Sequence, residues 1–226
     1  RDGSFLVSRV DEKDTFDWAT SLEGKEILAG RPGGVPAMTF EYVLNNNGLY
    51  DGTNVTMNYD VNFNYMTAAF ESGIADYCTM FEPVASDYEA AGKGYVVASV
   101  GEESGEVPYT CFIAKESWLD KNGETADGFL RAVMRAIEYV KTTDSAAVAE
   151  LLVPYFDGTG EAAIATSLDS YKAIDAWQED MTMTEDAFER LLDIIDNAGE
   201  LEKRVPLTDL ADLERPAAVY AALHAA

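Results

Sequence analysis

An α/β fold is predicted by three observations. Through residue 114, short β-type runs alternate with short helical segments, separated by glycine and proline turns. After residue 115 the apolar spacing is helical almost throughout. The 226-residue chain is also 47% hydrophobic and 11% aromatic, enough to bury a substantial core and to exclude general disorder. Strands alternating with helices imply βαβ units and a largely parallel sheet. The change of character divides the chain into segments 1–24, 25–114 and 115–226.

In order along the chain, Phe5, Leu6 and Val7 form a short extended element, followed by an acidic, turn-rich stretch over 11–15 and a turn over 22–25. Residues 26–29 read as a strand that turns through Pro32, Gly33 and Gly34 and enters a helix near Pro36. Phe40, Val43 and Leu44 give that helix its apolar positions, and Gly48 ends it. A strand over 55–59 leads to a helix over 62–70, with Phe63, Met66 and Phe70 at helical spacing. The third βα unit is a strand over 75–81, Glu82-Pro83, and a helix over 85–91 stopped by Gly92. Two more strands are predicted at 95–100 and 109–114 around a polar turn over 101–106. Helices are then expected at 117–119, 126–141, 145–152, 161–176 and 185–198, with a weaker one at 207–213. Phe129, Val133, Ala136, Ile137 and Val140 share one apolar face, and Phe188, Leu191, Leu192 and Ile195 another. The alanine-rich C-terminus reads as a fraying helix or an appended tail.

Charge narrows the function. Sixteen basic against 41 acidic residues give a formal net charge of −25, which repels nucleic acid and anionic membrane surfaces. No apolar run reaches membrane-spanning length and residue 1 opens without a signal core, so the chain as it stands is expected to be soluble. Cys78 and Cys111 could pair or could be two free buried thiols. The single histidine, His224, stands two residues from the end, which argues against His-based triads and His-rich metal sites. Glu82 and Asp76 flank the third strand without an accompanying nucleophile, so no catalytic residue, metal or cofactor is assigned. A carboxylate beside an aromatic residue at a strand tip can instead accept hydrogen bonds from an amine or amino-heterocycle. The glycine turn before Pro36 leaves backbone N–H groups at the positive end of a helix dipole, where α/β proteins hold anionic or polar ligands; it could equally need its glycines for backbone geometry alone.

Several separated motifs carry a resemblance. They are Gly-Gly-Val-Pro-Ala-Met-Thr-Phe-Glu-Tyr-Val-Leu at 33–44, Phe-Glu-Pro-Val-Ala-Ser at 81–86, Gly-Lys-Gly-Tyr-Val-Val-Ala-Ser-Val-Gly at 92–101 and Val-Pro-Tyr-Thr at 107–110. Asp-Ala-Trp at 175–177 and Ala-Gly-Glu-Leu at 198–201 continue it. The chain resembles the substrate-binding proteins of ABC importers in the sulfonate, nitrate and thiamine-pyrimidine-precursor group, from residue 1 to about 215. The resemblance implies a type II periplasmic-binding-protein-like clam-shell that captures a small molecule between two lobes and delivers it to a membrane permease. It implies an extracytoplasmic location, periplasmic or as a cell-surface lipoprotein. Segment 1–24 would be hinge-proximal, 25–114 the α/β ligand-binding lobe, and 115–226 the helical part packing on the hinge and that lobe.

On this resemblance, Gly33, Gly34, Val35, Pro36 and Thr39 would supply donors at the first helix. Asn62, Phe63 and Asn64 would open the second helix at the cleft, and Phe81 and Glu82 would present an aromatic face and a carboxylate. Asp2, Ser4 and Tyr109 would lie on or near the hinge strands. Members of the group normally carry a βαβ half-lobe ahead of the point matching Arg1. Its absence implies an incomplete fold and an exposed apolar surface, which self-association or a separate polypeptide could cover. The implied ligand is an amino-heterocycle of the thiamine-pyrimidine kind or an aliphatic sulfonate. A pyrimidine-precursor synthase-like enzyme and a non-transport interaction or sensor module are the alternative readings.

Overall fold

The computed structural model describes residues 1–225 and shows a mixed α/β fold of the periplasmic-binding-protein type. Five strands, β1 (Ser4–Ser8), β2 (Glu26–Leu28), β3 (Thr56–Asn58), β4 (Tyr77–Phe81) and β5 (Tyr95–Ser99), form one sheet in the order β3-β2-β4-β1-β5. β2 pairs in parallel with β3 and β4, whereas β1 pairs antiparallel with both β4 and β5. The predicted parallel direction therefore holds for β2 to β5, but β1 runs against them between β4 and β5. That threading puts the N-terminal end of β1 on the same sheet edge as the C-terminal ends of the other strands.

All five residues of β1 are buried, which explains its near-continuous apolar sequence. Alternation then sorts the strands between two cores. Leu6 and Ile27 join Phe40, Val43 and Leu44 on one face, while Phe5, Val7, Leu28 and Cys78 join Met66, Phe70 and Tyr88 on the other.

The first four helices connect or follow the strands: α1 (Val35–Asn46), α2 (Met66–Glu71), α3 (Val84–Ala90) and α4 (Val100–Ser104). α4 replaces part of the predicted polar turn. Its signal was present as Ser99 followed three residues later by Glu102, and the Ser99 hydroxyl accepts the Glu102 N–H at 3.2 Å. α5 (Glu116–Thr142) joins the predicted helices at 117–119 and 126–141 across a kink at Asn122. α6 (Ser145–Leu152), α7 (Glu161–Ala173), α8 (Glu185–Asn197) and α9 (Glu214–His224) complete the helical part, and the Thr184 hydroxyl caps α8 by accepting the Ala187 N–H at 3.1 Å.

The strand expected at 109–114 and a buried Cys111 are corrected. Residues 109–114 form no strand: Phe112 and Ile113 are 66% and 90% exposed, and among the described residues no neighbouring strand offers the ladder that β structure requires. As flanking the third strand implies, Asp76 and Glu82 lie at opposite ends of β4. Asp76 Oδ2 accepts the Glu26 N–H at 3.0 Å and so fixes β2 against β4. The cysteines are free, with Cys78 buried and Cys111 exposed, because only Cys78 lies within the sheet. Burial pushes the Cys78 thiol up to about 12.

Candidate functional site

Most of the sequence-predicted residues meet on the edge where β2 and β4 end and β1 begins. Gly33, with φ +68°, makes the turn out of β2 that an L side chain would strain, and Gly34 is the N-cap of α1. No side chain caps this end, no acidic residue occupies its first turn, and Pro36 lies within that turn. The backbone N–H groups there face the sheet edge with the positive end of the helix dipole behind them. Thr39 is wholly buried, and its Oγ1 has no hydrogen-bond partner among the described residues.

β4 ends in Phe81, opposite Ser4 of β1, so register places the two predicted groups side by side. Glu82 follows through a cis peptide to Pro83. Its carboxylate turns onto the start of α3, where Oε2 accepts the Ser86 N–H at 3.1 Å and Oε1 accepts the Ser86 hydroxyl at 2.6 Å. Asp2, one residue before the strand entry at Gly3, is completely buried. Its Oδ1 accepts from both the Ser4 N–H and the Ser4 hydroxyl, while Oδ2 has no partner among the described residues. Burial raises the Asp2 carboxyl to about 6, with the Ser4 hydrogen bonds and the Arg1 amine acting in the opposite sense.

Tyr109 packs with Val35 and Met38 of α1, and its phenol is pushed up first by burial and then by the charge of Asp2. It thus links the helix start to the buried acid. Tyr171 of α7 closes the other side. Its ring lies 3.3 Å from where a Cβ on Gly3 would stand, and its hydroxyl accepts the Glu82 N–H at 3.3 Å. Trp177 meets Tyr171 edge to face at 5.8 Å. Sequence reasoning missed Tyr171 because nothing local marks a residue 89 positions from Glu82; Trp177 had appeared only as part of the Asp-Ala-Trp motif.

Asn62, Phe63 and Asn64 stand farther along the same edge, beyond the end of β3. They form a short 3-10 turn in which Asn62 Oδ1 accepts the Asn64 N–H at 3.1 Å, and Phe63 is 48% exposed. A cavity of about 160 Å³ beside α1 is lined by Pro32, Gly33, Met38, Glu41, Tyr59 and Glu200. Burial first and Asp51 second raise the Glu41 carboxyl above its ordinary range.

A larger apolar cavity of about 290 Å³ lies against α5, α6 and α7. Val133, Ala136, Ile137 and Val140 line it with Leu168 and Tyr171, and Glu82 and Pro83 reach it from the sheet edge. The apolar face predicted for α5 therefore faces this space. The buried positions of the helix are Ala126 and Met134, on the helix whose Asp127 pairs with Arg215 of α9 at 2.7 Å. Among the described residues, no cluster of three or more metal-ligating side chains occurs, and no helix is long and apolar enough to cross a membrane.

This architecture has known counterparts. The NMT1-like family matches residues 8–153. The protein YtlA of Bacillus subtilis (strain 168), whose name marks it as a candidate binding protein, is 40% identical over 213 residues. That alignment covers 94% of this chain and 63% of YtlA, so the chain spans just under two thirds of the length of this relative. The alkanesulfonate-binding protein SsuA of Xanthomonas axonopodis pv. citri, solved with MOPS, superposes with a TM-score of 0.66 at 17% identity, over 92% of this chain and 68% of SsuA. A ligand-binding component of an ABC-type import system from Staphylococcus aureus, solved with zinc, gives 0.67 at 12% identity, over 95% and 69%.

Proposed function

The chain belongs to the NMT1-like family, and from that membership we propose that it is the solute-binding component of an ABC importer. It takes up one small organic molecule at the sheet edge between α1, the end of β4 and Tyr171, and presents it to a membrane permease outside the cytoplasm. The observation that carries this reading is convergence. Phe81 and Tyr171, from separate parts of the chain, close around Gly3 next to Asp2, and Tyr109, which packs on Val35 at the uncapped start of α1, feels the charge of Asp2. A site of backbone donors, aromatic faces and a carboxylate suits selection of a small polar molecule, and the reading assigns no catalytic residue.

Two ligand classes fit. The open α1 terminus suits an aliphatic sulfonate. The carboxylates at the edge and the net charge of −25 suit an amino-heterocycle of the thiamine-pyrimidine-precursor kind. In this reading the exposed Phe112 and Ile113 belong to a surface for self-association.

A thermal-shift screen with aminopyrimidines, alkanesulfonates and nitrate tests the proposal. One class at a hundredfold excess over its Kd is expected to add about 2.7 kcal/mol. That corresponds to roughly 5–10 °C for a chain of this size. No shift with any class would count against solute capture.

A further inference from the structure

Asp2 is the one carboxylate at the sheet edge that is both wholly buried and half unsatisfied. Ser4 supplies two donors to Oδ1 and none reaches Oδ2 from the described residues. Leaving a charged acceptor buried without a donor costs more than leaving a neutral one in that state. The surroundings hold the group in place instead of letting it swing to solvent. A Cβ on Gly101 would stand 2.0 Å from the Asp2 carbonyl oxygen, so the backbone leading into β1 is in direct contact with α4 there. Ser4 is locked in register with Phe81. Glu82, by contrast, already has both oxygens on Ser86.

Resting on the solute-capture reading, we propose that Asp2 is the specificity-determining residue of the site. Its Oδ2 accepts a hydrogen bond from an N–H of an amine, amidine or amino-heterocycle, and it excludes sulfonates and other anions. Tyr171 covers Gly3 from α7, with its hydroxyl accepting the Glu82 N–H at 3.3 Å, and so borders the site beside Asp2. An anion placed at Oδ2 would meet an ionised carboxylate in a water-poor setting, where repulsion is several-fold stronger than in water. A donor N–H removes the desolvation cost that Asp2 carries in the free protein.

The sign of the pH dependence follows. With its folded value near 6, above the ordinary 3.8, Asp2 contributes stability that is complete below about pH 4 and is lost as pH rises through 6. The groups facing this region are the Arg1 amine and guanidinium, Tyr109, Tyr171 and Glu82, with Glu106 and Asp175 acting on the Arg1 amine. Asp2→Asn removes the cost of the buried charge, so at pH 7.5 the variant should melt at or above the wild-type temperature. That result separates lost recognition from lost folding.

The experiment is calorimetric titration of the full chain at pH 7.5 with 4-aminopyrimidine and with ethanesulfonate. Wild type should prefer 4-aminopyrimidine. Asp2→Asn should weaken it at least tenfold, while Ser4→Ala, which keeps the carboxylate, should retain the preference. Undiminished 4-aminopyrimidine binding by Asp2→Asn, or wild-type preference for ethanesulfonate, would overturn the role of Asp2 and leave solute capture standing. Heat from neither probe, together with no shift in the wider screen, would overturn both.

Discussion

Gly101→Ala should destabilise the protein by about 3 kcal/mol and abolish ligand binding with it. The new methyl group would stand 2.0 Å from the Asp2 carbonyl oxygen, 3.0 Å from its carbonyl carbon and 3.1 Å from its nitrogen. All three are backbone atoms of the strand entry, so no side chain can turn away to make room. Either α4 leaves β5, breaking the Ser99 cap, or β1 moves away from Phe81 and takes Asp2 with it. A drop in melting temperature of roughly 6–12 °C is expected. Gly128→Ala is the matched control. Gly128 lies inside α5 with nothing within 4 Å of the added carbon, so helix propensity should stabilise that variant by about 0.5–1 kcal/mol. Equal behaviour of the two variants would contradict the packing described at the site.

Phe40→Ala should cost about 3–5 kcal/mol in urea unfolding. Phe40 is 0% exposed and joins α1 to the sheet through Leu6, Leu22 and Ile27, with the Trp18 ring 6.3 Å away. Its loss would leave a cavity under the helix whose first turn forms the site. Trp18 emission should report the loosened core before global unfolding. Phe129→Ala, at a position 46% exposed whose ring meets Phe112 edge to face at 4.8 Å, should cost about 0.5–1.5 kcal/mol, less than the core substitution. A loss at Phe129 as large as that at Phe40, rising with protein concentration, would support self-association through the adjoining Phe112 surface.

Much of the lobe was legible because its signals are local. The glycine turn before Pro36, the stop at Gly92 and the alternation of Leu6 with Val7 are each fixed by backbone geometry or period, and the structure places them accordingly. Direction was not legible, since nothing in Phe5-Leu6-Val7 distinguishes a strand threaded antiparallel from a parallel one. The run at 109–114 shows the limit of propensity. Its residues favour β structure, yet among the described residues no strand pairs with it, and beyond the half-buried Tyr109 it stays exposed. At the site, Phe81 and Glu82 could be read as candidates from the end of a strand, whereas Asp2 and Ser4 came from the family resemblance, and their place beside Phe81 follows only from the antiparallel register of β1. The commitment of Glu82 to Ser86, the orphan oxygen of Asp2 and the arrival of Tyr171 from α7 are tertiary facts with no local trace.

Hydrogen–deuterium exchange with and without the stabilising solute tests the central claim most directly, because it locates the bound molecule on the backbone. The site described here predicts slowed exchange at 33–39 around the start of α1 and at 81–86 around the end of β4, with smaller changes near Asp2 and Tyr109. Slowed exchange confined to 133–140 and 164–168, the α5 and α7 walls of the apolar cavity, would contradict it and place the ligand in that cavity instead.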